Sequence, residues 1–312
     1  MSLERALELA ERGRGTTHPN PVVGAVVVRD GEVVGEGWHE RKGGPHAEVV
    51  ALDAAGERAA GATLYVTMEP CAHHGSTPPC TDAVIAAGVA KVVAGSLDPS
   101  PEARGGFEVL RAAGVEVDHA GSFAARAQNE AWRTWVTERR PFVILKLALT
   151  LDGRVAVPGS RWVSGEESRL RVHELRAQVD AVAVGMGTVR ANDPQLTARD
   201  VGAERQPRRL AFGQGPLPDG SELELRTGPL EDELRALAGD NVQSLLLEGG
   251  PTLAESFLRA NLVDRMLLFV APRLAGRGAT FTPDLDAPVE LRRLAVERVG
   301  DDLLLTAYVH EP

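Results

Sequence analysis

His46-Ala47-Glu48, Glu69-Pro70-Cys71 and Pro78-Pro79-Cys80 are three short runs within residues 46–80, and they contain both cysteines of the 312-residue chain. Each run stands at the start of a predicted helix or directly after a predicted strand. One imidazole and two thiolates suit Zn²⁺, and an ion held by three side chains keeps a fourth position for water. The stretch therefore predicts a zinc site with His46, Cys71 and Cys80 as ligands.

Glu48 lies two residues after His46 on the same predicted helix. A carboxylate beside the metal can carry a proton from the attacking water to a ring and then to a departing amine. A His-x-Glu followed by Pro-Cys and a second Cys is the ligand pattern of zinc-dependent deaminases. We predict Glu48 as the catalytic acid and base. In the alternative, a structural zinc, a fourth ligand would have to come from His39, His73 or His74.

The composition is that of an ordinary globular protein, with 43% hydrophobic and 25% charged residues. The net charge of −10 argues against a nucleic-acid partner, because phosphate backbones are bound by an excess of Lys and Arg. The beginning of the chain is predicted as an amphipathic helix rather than a signal peptide, and no run approaches about eighteen apolar residues. We expect a cytoplasmic protein with a small-molecule substrate and no membrane association.

Alternating strands and helices are predicted through residues 1–120, which indicates a three-layer α/β/α domain. Asp30-Gly31 between two β-branched runs predicts a β-hairpin of Val22 to Arg29 and Glu32 to Trp38. Residues 121–141 are polar with helical spacing and are predicted as a linker helix. Residues 142–312 again alternate strands and helices, with a surface loop at 213–230.

Sequence motifs in both halves resemble the bifunctional riboflavin-biosynthesis deaminase/reductase family. Eight residues separate Cys71 from Cys80, whereas most cytidine and tRNA-adenosine deaminases place two between these cysteines, and the insert with His73-His74-Gly75-x-Thr77-Pro78-Pro79 is that of the riboflavin family. The other matching motifs are Thr17-His18-Pro19-Asn20-Pro21, Gly37-Trp38-His39, Lys146-Leu147-Ala148-x-Thr150-Leu151-Asp152-Gly153, Asp193-Pro194-x-Leu196-Thr197-x-Arg199 and Glu248-Gly249-Gly250-Pro251.

The resemblance implies a cytidine-deaminase-like three-layer domain followed by a dihydrofolate-reductase-like α/β domain. The first would remove the 2-amino group of 2,5-diamino-6-(5-phosphoribosylamino)pyrimidin-4(3H)-one. The second would use NADPH to reduce the ribosyl chain of the product to ribityl. Family members also assemble through the reductase domain, as dimers or tetramers. The strand Met266 to Ala271 could form that interface or could equally belong to the core.

Site residues carried over from the family fall into three groups. In the deaminase site, substrate contacts are expected at Asn20, His39, His73 and His74, although Asn20 between two prolines could be only a turn residue. In the reductase site, substrate contacts are expected at Lys146, Ser160, Arg176, Leu196, Arg199 and Glu248, with surface salt bridges as the alternative role for the charged ones. NADPH contacts are expected at Leu149, Trp162, Thr188, Asn192, Gly250, Pro251, Thr252 and Leu253.

Two departures from the family pattern keep a second hypothesis open. Asn192 stands where the family carries Asp, and Gly213-Gln214 replaces Asp-Ser in a segment that helps to hold the cofactor. The second hypothesis is a single-activity deaminase with a degenerate second domain. A third is a zinc-stabilised interaction protein, in which Glu48 would have no catalytic part.

Overall fold

The computed structural model describes residues 2–75 and 78–312. The chain divides into two compact units, and the boundary lies between Glu138 and Arg139. The first unit also takes Pro312, and the second is Arg139–Glu311. Ser76 and Thr77, which belong to the predicted substrate-facing insert, lie outside the described residues. No described helix is both long and apolar enough to cross a membrane.

The first unit is built around a mixed sheet. Its elements are α1 (Ser2–Glu11), β1 (Gly24–Arg29), β2 (Glu32–Trp38), α2 (Ala47–Ala55), a 3₁₀ turn (Gly56–Ala59), β3 (Thr63–Met68), α3 (Cys80–Ala86), β4 (Lys91–Ser96), α4 (Gly106–Ala112), β5 (Glu116–His119), α5 (Phe123–Gln128) and α6 (Glu130–Glu138). In the described part of this unit the strand order is β2-β1-β3-β4-β5. β1 is antiparallel to β2 and β3, whereas β3, β4 and β5 are parallel.

Alternation along β1 explains the three layers. Val26 packs with helix α1, whereas Ala25 and Val27 belong to the core shared with α2 and α3. Because neighbouring residues of a strand point to opposite faces, the helices cover both sides of the sheet. Asp30 and Gly31 join β1 to β2 with positive φ angles of 49° and 83°, the conformation that a tight hairpin turn needs. The predicted hairpin and three-layer class are confirmed.

The predicted linker segment differs from the structure, because it lies within the first unit. It forms two helices, α5 and α6, separated at Asn129. The Asn129 side chain accepts a hydrogen bond from the Val22 N–H at 2.9 Å and donates one to the Val22 carbonyl at 2.8 Å. These two bonds fasten the segment to the loop before β1. The sequence showed the helical spacing but not this long-range bond.

The second unit contains a larger mixed sheet. Its elements are β6 (Phe142–Thr150), α7 (Glu166–Gln178), β7 (Ala181–Gly185), α8 (Met186–Asn192), β8 (Arg208–Phe212), β9 (Glu224–Arg226), α9 (Leu230–Gly239), β10 (Ser244–Leu247), α10 (Pro251–Arg259), β11 (Arg265–Ala271), β12 (Arg292–Val299) and β13 (Asp302–Tyr308). Among its described residues the strand order is β12-β13-β11-β6-β10-β7-β8-β9. The strands from β11 to β9 are parallel, and β13 and β12 are antiparallel additions.

The late strand β10 lies between β6 and β7, so the segment after it is placed at the centre of the sheet edge. Carboxyl ends of neighbouring parallel strands meet at one edge, which is where α/β proteins bind ligands. Three elements of this unit were not predicted: α8, β9 inside the predicted surface loop, and β12. All three are short or exposed, so they lack a strong apolar pattern.

Candidate functional site

Three elements of the first unit bring the predicted zinc ligands together. His46 is the residue before the first turn of α2, Cys71 follows β3, and Cys80 is the first residue of α3. Their ligand atoms all lie within 4.8 Å of one another. His46 Nδ1 is 3.1 Å from Cys80 Sγ and 3.6 Å from Cys71 Sγ.

The chemistry of these donors fits a zinc ion. Both cysteines are buried, and the backbone N–H of Cys80 donates to the Cys71 sulfur at 3.4 Å. The hydrogen bond from the Cys80 thiol lowers the pKa of Cys71 to about 4, while the neighbouring Cys71 sulfur raises the pKa of Cys80. A thiolate is therefore already favoured in the cluster. An imidazole and two sulfurs at this spacing form a three-ligand catalytic zinc set.

Glu48 lies in the first turn of α2 and is 4% exposed. Burial raises the pKa of Glu48 to about 7. A carboxyl group whose pKa lies near neutrality can both accept and return a proton at physiological pH. Its side chain lines a cavity of about 310 Å³ that also reaches His46 and Cys71. This is the position that an acid and base needs beside the three ligands.

Asn20 and His39 also line this cavity, and they bond to each other. The His39 Nδ1 atom is 3.0 Å from the Pro45 carbonyl, and Nε2 is 3.3 Å from the Asn20 amide nitrogen. Burial lowers the pKa of His39, so the ring is neutral, donates to Pro45 and accepts from Asn20. Both ring nitrogens are thus engaged within the protein. His39 is placed to orient Asn20, whereas the sequence predicted a direct substrate contact.

The two histidines of the insert have different surroundings. His73 lines the cavity. His74 is exposed and is not among the residues lining the cavity. A structural zinc with a fourth histidine ligand gains no support, because the described metal cluster contains His46 and the two cysteines alone.

Several wall residues were missed by the sequence analysis. Asp98 and Ser100 follow β4, and Trp132 and Val136 come from α6. Burial raises the pKa of Asp98 to about 6. Because β3 and β4 are adjacent and parallel, polar residues after β4 had to lie near Cys71 after β3, and this signal could have identified Asp98. No comparable feature of the sequence indicated that Trp132 and Val136 of α6 would line the cavity.

In the second unit, Lys146, Arg176 and Glu248 form a buried ionic cluster. The Arg176 guanidinium donates to both Glu248 oxygens, at 2.6 and 2.9 Å, and Lys146 Nζ lies 3.9 Å from the same carboxylate. Burial opposes ionisation of Glu248, but Arg176 and Lys146 outweigh it and lower the pKa of Glu248. Burial also lowers the pKa of Lys146. Two cations therefore face one carboxylate at the end of β10.

The guanidinium of Arg176, a predicted substrate contact, is paired within the protein. Besides Glu248, its guanidinium donates to the Thr197 carbonyl at 3.1 Å. The N–H donors of the guanidinium are thus occupied within the protein, which agrees with the alternative role of an ion pair. Arg199 is exposed, and its guanidinium donates to Gln195 at 2.8 Å. Leu196, in contrast, is buried with a positive φ of 54°.

Several of the predicted cofactor residues converge where β10 and β7 end. Gly250 precedes α10, and Pro251 occupies its first turn, so the N–H groups of Thr252 and Leu253 begin the helix. A Cβ atom added to Gly250 would lie 3.5 Å from the Thr188 hydroxyl oxygen of α8. A Cβ atom added to Gly249 would lie 3.2 Å from the Leu253 side chain. Small residues here leave room for a ligand to approach the backbone.

The remaining predicted reductase residues lie at other positions on the unit. Leu149 is half-buried near the end of β6, and Asn192 is exposed at the last residue of α8. Ser160 and Trp162 lie in the loop between β6 and α7, where the Trp162 N–H donates to the Ser160 hydroxyl at 3.3 Å. Trp162 is 48% exposed.

Two family models match this chain. The model described as "Cytidine and deoxycytidylate deaminase zinc-binding region" matches residues 2–96. The model described as "RibD C-terminal domain" matches residues 141–305. The first covers all three metal-cluster residues and the second covers the ionic cluster.

Similar proteins match nearly the whole chain. "Riboflavin biosynthesis protein RibD" of Aquifex aeolicus is 40% identical over 343 residues, covering 97% of this chain and 96% of that protein. The protein of the same description from Mycobacterium tuberculosis H37Rv is 43% identical over 323 residues, covering 96% and 94%. The structure of Acinetobacter baumannii RibD, form 1, superposes with a TM-score of 0.86 at 36% identity, covering 98% and 97%.

A further solved structure carries both activities in its description. It is the diaminohydroxyphosphoribosylaminopyrimidine deaminase/5-amino-6-(5-phosphoribosylamino)uracil reductase of Thermotoga maritima. It superposes with a TM-score of 0.83 at 35% sequence identity, covering 98% of this chain and 97% of that one.

Proposed function

The chain belongs to the RibD family of riboflavin-biosynthesis deaminase/reductases, and from that membership we propose which residues carry out its two reactions. The first unit is the zinc-dependent pyrimidine deaminase, and the second is the dihydrofolate-reductase-like, NADPH-dependent reductase. Deamination of 2,5-diamino-6-(5-phosphoribosylamino)pyrimidin-4(3H)-one precedes reduction of the resulting uracil derivative. We place both reactions in the cytoplasm, where the two ligand thiols would stay reduced.

For deamination, His46, Cys71 and Cys80 would hold the zinc ion, which supplies Lewis-acid activation of a water molecule when bound. Glu48 Oε would take one proton from that water and deliver it to the amine that leaves from C2 of the ring. A C–O bond forms, the C–N bond breaks and ammonia departs. Asn20, held by His39, would orient the ring by hydrogen bonding.

For reduction, NADPH would supply hydride-transfer chemistry to the ribosyl chain when bound. Gly250, Thr252 and Leu253 would admit the cofactor's phosphates to the start of α10, and Thr188 would face them from α8. Lys146 would bind oxygen atoms of the ribosyl chain, with Glu248 facing the same carbons. Arg176 would fix the Glu248 carboxylate, and Arg199 would bind the substrate phosphate.

One observation supports the deaminase assignment above the others: Glu48 is buried, has a pKa raised to about 7 and shares its cavity with the metal cluster. We expect Glu48→Gln to lower the deamination rate by ~10²- to 10⁴-fold, because the proton carrier is lost. Zinc content by metal analysis and NADPH oxidation with the deaminated pyrimidine should remain those of the wild type.

Glu57→Gln, at an exposed position of the turn after α2, is the matched control and should leave both activities unchanged. Normal deamination by Glu48→Gln would refute the proposed role of Glu48. Absence of deamination by the folded, zinc-loaded wild type would instead favour an interaction protein. Absence of NADPH oxidation in the correctly folded wild type would instead favour a deaminase with a degenerate second domain.

We propose a homodimer formed through β12 and β13 of the reductase domain. β11, which the sequence offered as an interface or core strand, lies between β6 and β13, and most of its residues are buried. Val296 on β12 and Leu303 on β13 are 60% and 43% exposed, and their register places them on one face of the sheet. A second copy of this chain would cover that apolar face.

The double substitution Val296→Lys and Leu303→Lys should convert the dimer to a monomer in sedimentation velocity, because like charges would face each other without solvent. Lysines at Leu225 and Leu274, which are also exposed, serve as the control. A wild type that sediments as a monomer would contradict the proposal.

A further inference from the structure

His173 of α7 faces the segment that carries Leu196 and Arg199. Its Nδ1 atom lies 3.0 Å from the Thr197 carbonyl oxygen and 3.2 Å from the Arg199 backbone nitrogen. His173 is half-buried, and it lies one helical turn before Arg176. The same helix therefore contacts this segment at two points, because Arg176 also donates to the Thr197 carbonyl at 3.1 Å.

A single ring nitrogen cannot serve both neighbours in the same way. The Thr197 carbonyl only accepts hydrogen bonds, and the Arg199 N–H only donates. Arg176 already donates to the carbonyl, whereas the Arg199 N–H donates to His173 Nδ1. The consistent state is a neutral ring with its proton on Nε2, whose Nδ1 accepts from Arg199. Burial and the nearby Arg176 lower the pKa of His173, which favours this neutral state.

The segment that carries Leu196 and Arg199 is also held by Gln206. The Gln206 side chain accepts from the Ala198 N–H at 2.8 Å and donates to the Ala198 carbonyl at 2.9 Å. Leu196 has a positive φ of 54° and a buried side chain, so its backbone is confined. His173 is thus the contact that sets where the backbone of Arg199 lies, while the exposed Arg199 guanidinium donates to the Gln195 side chain at 2.8 Å.

We propose that His173 is a positioning residue of the reductase: by accepting the Arg199 N–H it fixes the guanidinium of Arg199 where the substrate phosphate binds. The inference rests on the proposed function, in which Arg199 contacts that phosphate. His173 itself touches neither substrate nor cofactor. Its effect should therefore appear in substrate affinity and not in the hydride step.

The test compares His173→Leu with His173→Asn in the full chain. Asn can place its side-chain oxygen where Nδ1 lies and accept the same N–H, whereas Leu leaves that donor without an acceptor. We expect His173→Leu to raise the KM for the deaminated phosphoribosylaminopyrimidine about tenfold with kcat within about twofold, as the loss of one positioned contact predicts. His173→Asn should restore the KM to within about threefold of the wild type.

Three further measurements separate positioning from general destabilisation. The dissociation constant for NADPH, from fluorescence titration, should be equal in all three proteins. A substrate lacking the 5′-phosphate should bind the wild type and His173→Leu equally, because Arg199 has no phosphate to contact. Combining His173→Leu with Arg199→Met should raise the KM no further than Arg199→Met alone.

An unchanged KM in an active His173→Leu enzyme would overturn the role of His173 and leave the proposed function standing. Equal defects in His173→Asn and His173→Leu, with equally lowered melting temperatures, would also overturn it, because they would indicate a packing role. A wild type that binds neither NADPH nor the phosphorylated substrate would refute the reductase assignment and this inference together.

Discussion

The surroundings of two glutamates shift their pKa values in opposite directions. Burial raises the pKa of Glu48 to about 7, so its carboxyl group can exchange a proton. Glu248 is partly buried, and Arg176 and Lys146 lower its pKa and keep it ionised. Burial alone disfavours a carboxylate, and only adjacent cations reverse that preference. The same residue type is thus suited to proton exchange in one unit and to a fixed negative charge in the other.

The pair of Arg140 and Asp264 should be the most sensitive ion pair of the second unit. Asp264 is 1% exposed, and it accepts two hydrogen bonds from Arg140, at 2.6 and 2.7 Å, and one from the Val143 N–H at 2.7 Å. Arg140→Met should reduce the free energy of unfolding by about 3–5 kcal/mol, because it leaves a buried carboxylate without its cation. Urea unfolding followed by tryptophan fluorescence measures this change.

The matched control is Arg235→Met, which breaks the exposed pair with Asp232 and should change the free energy of unfolding by less than about 1 kcal/mol. Equal effects of the two substitutions would show that the Arg140 pair contributes no more than a surface ion pair does.

Asp264 also predicts how stability depends on pH. Burial would raise its pKa, but the hydrogen bonds from Arg140 and His310 outweigh burial and lower it in the folded state. The unfolded chain then binds the proton more tightly, so this contribution is complete above the unfolded pKa of about 4 and is lost as the pH falls through the folded value. Urea unfolding of the wild type between about pH 3 and 6 should show the loss, and Asp264→Asn should lack that part of it.

At the scale of elements, glycines determine how closely helix α2 approaches the sheet. A side chain on Gly37 of β2 would lie 2.5 Å from the Ala51 nitrogen and 2.6 Å from the Ala47 carbonyl oxygen, both in α2. Real Cβ atoms do not come so close, so the helix would have to move. His46 immediately precedes α2, and Glu48 lies in its first turn. The packing of α2 on β2 therefore also determines the positions of these two residues in the metal site.

Gly37→Ala should therefore abolish most deamination while sparing reduction. Overpacking of this kind costs about 1–3 kcal/mol or more, and the displaced helix would carry Glu48 away from the ligands. Parallel assays of ammonia release and NADPH oxidation, with zinc analysis, measure the effect. Gly239→Ala is the control, since no atom lies within 4 Å of the added carbon. If both variants deaminate normally, the close packing does not control the site.

At the scale of the whole molecule, each unit has its own sheet and its own hydrophobic core. The boundary at Glu138 matters for function, because Trp132 and Val136 of α6 line the deaminase cavity. The boundary expected from the sequence, at residue 120, would exclude both. The linker of the sequence prediction is thus a part of the catalytic unit.

A fragment of residues 1–138 should bind zinc and deaminate at a rate within about tenfold of the full chain, since it keeps its core and cavity wall. A fragment of residues 1–120 should lose deamination, because it lacks the Asn129 bonds to Val22 and the wall from α6. Ammonia release and metal content compare the two. Equal activity of the two fragments would show that α5 and α6 are dispensable.

Local sequence patterns predicted the metal cluster and much of the fold. His46, Cys71, Cys80 and Glu48 were predicted from residue type and spacing, because few side chains can bind zinc or carry a proton, and the structure brings the three proposed ligands together. The hairpin at Asp30-Gly31 was predicted within two residues of its observed ends, since turn chemistry and apolar runs are properties of adjacent residues.

The tertiary structure alone decided the contacts between residues that are distant in the chain. The pairing of Arg176 with Glu248 spans 72 positions, and no local pattern distinguishes such a pair from two surface charges. Nor does a local pattern reveal that α6 lines the cavity, that His39 contacts Asn20, or that His173 accepts the Arg199 N–H. The sequence by itself determined which chemistry residues 46–80 can support. Folding determined which further side chains enclose and orient the groups of the two sites or neutralise their charges. Burial and distances between remote residues are set only when the chain packs.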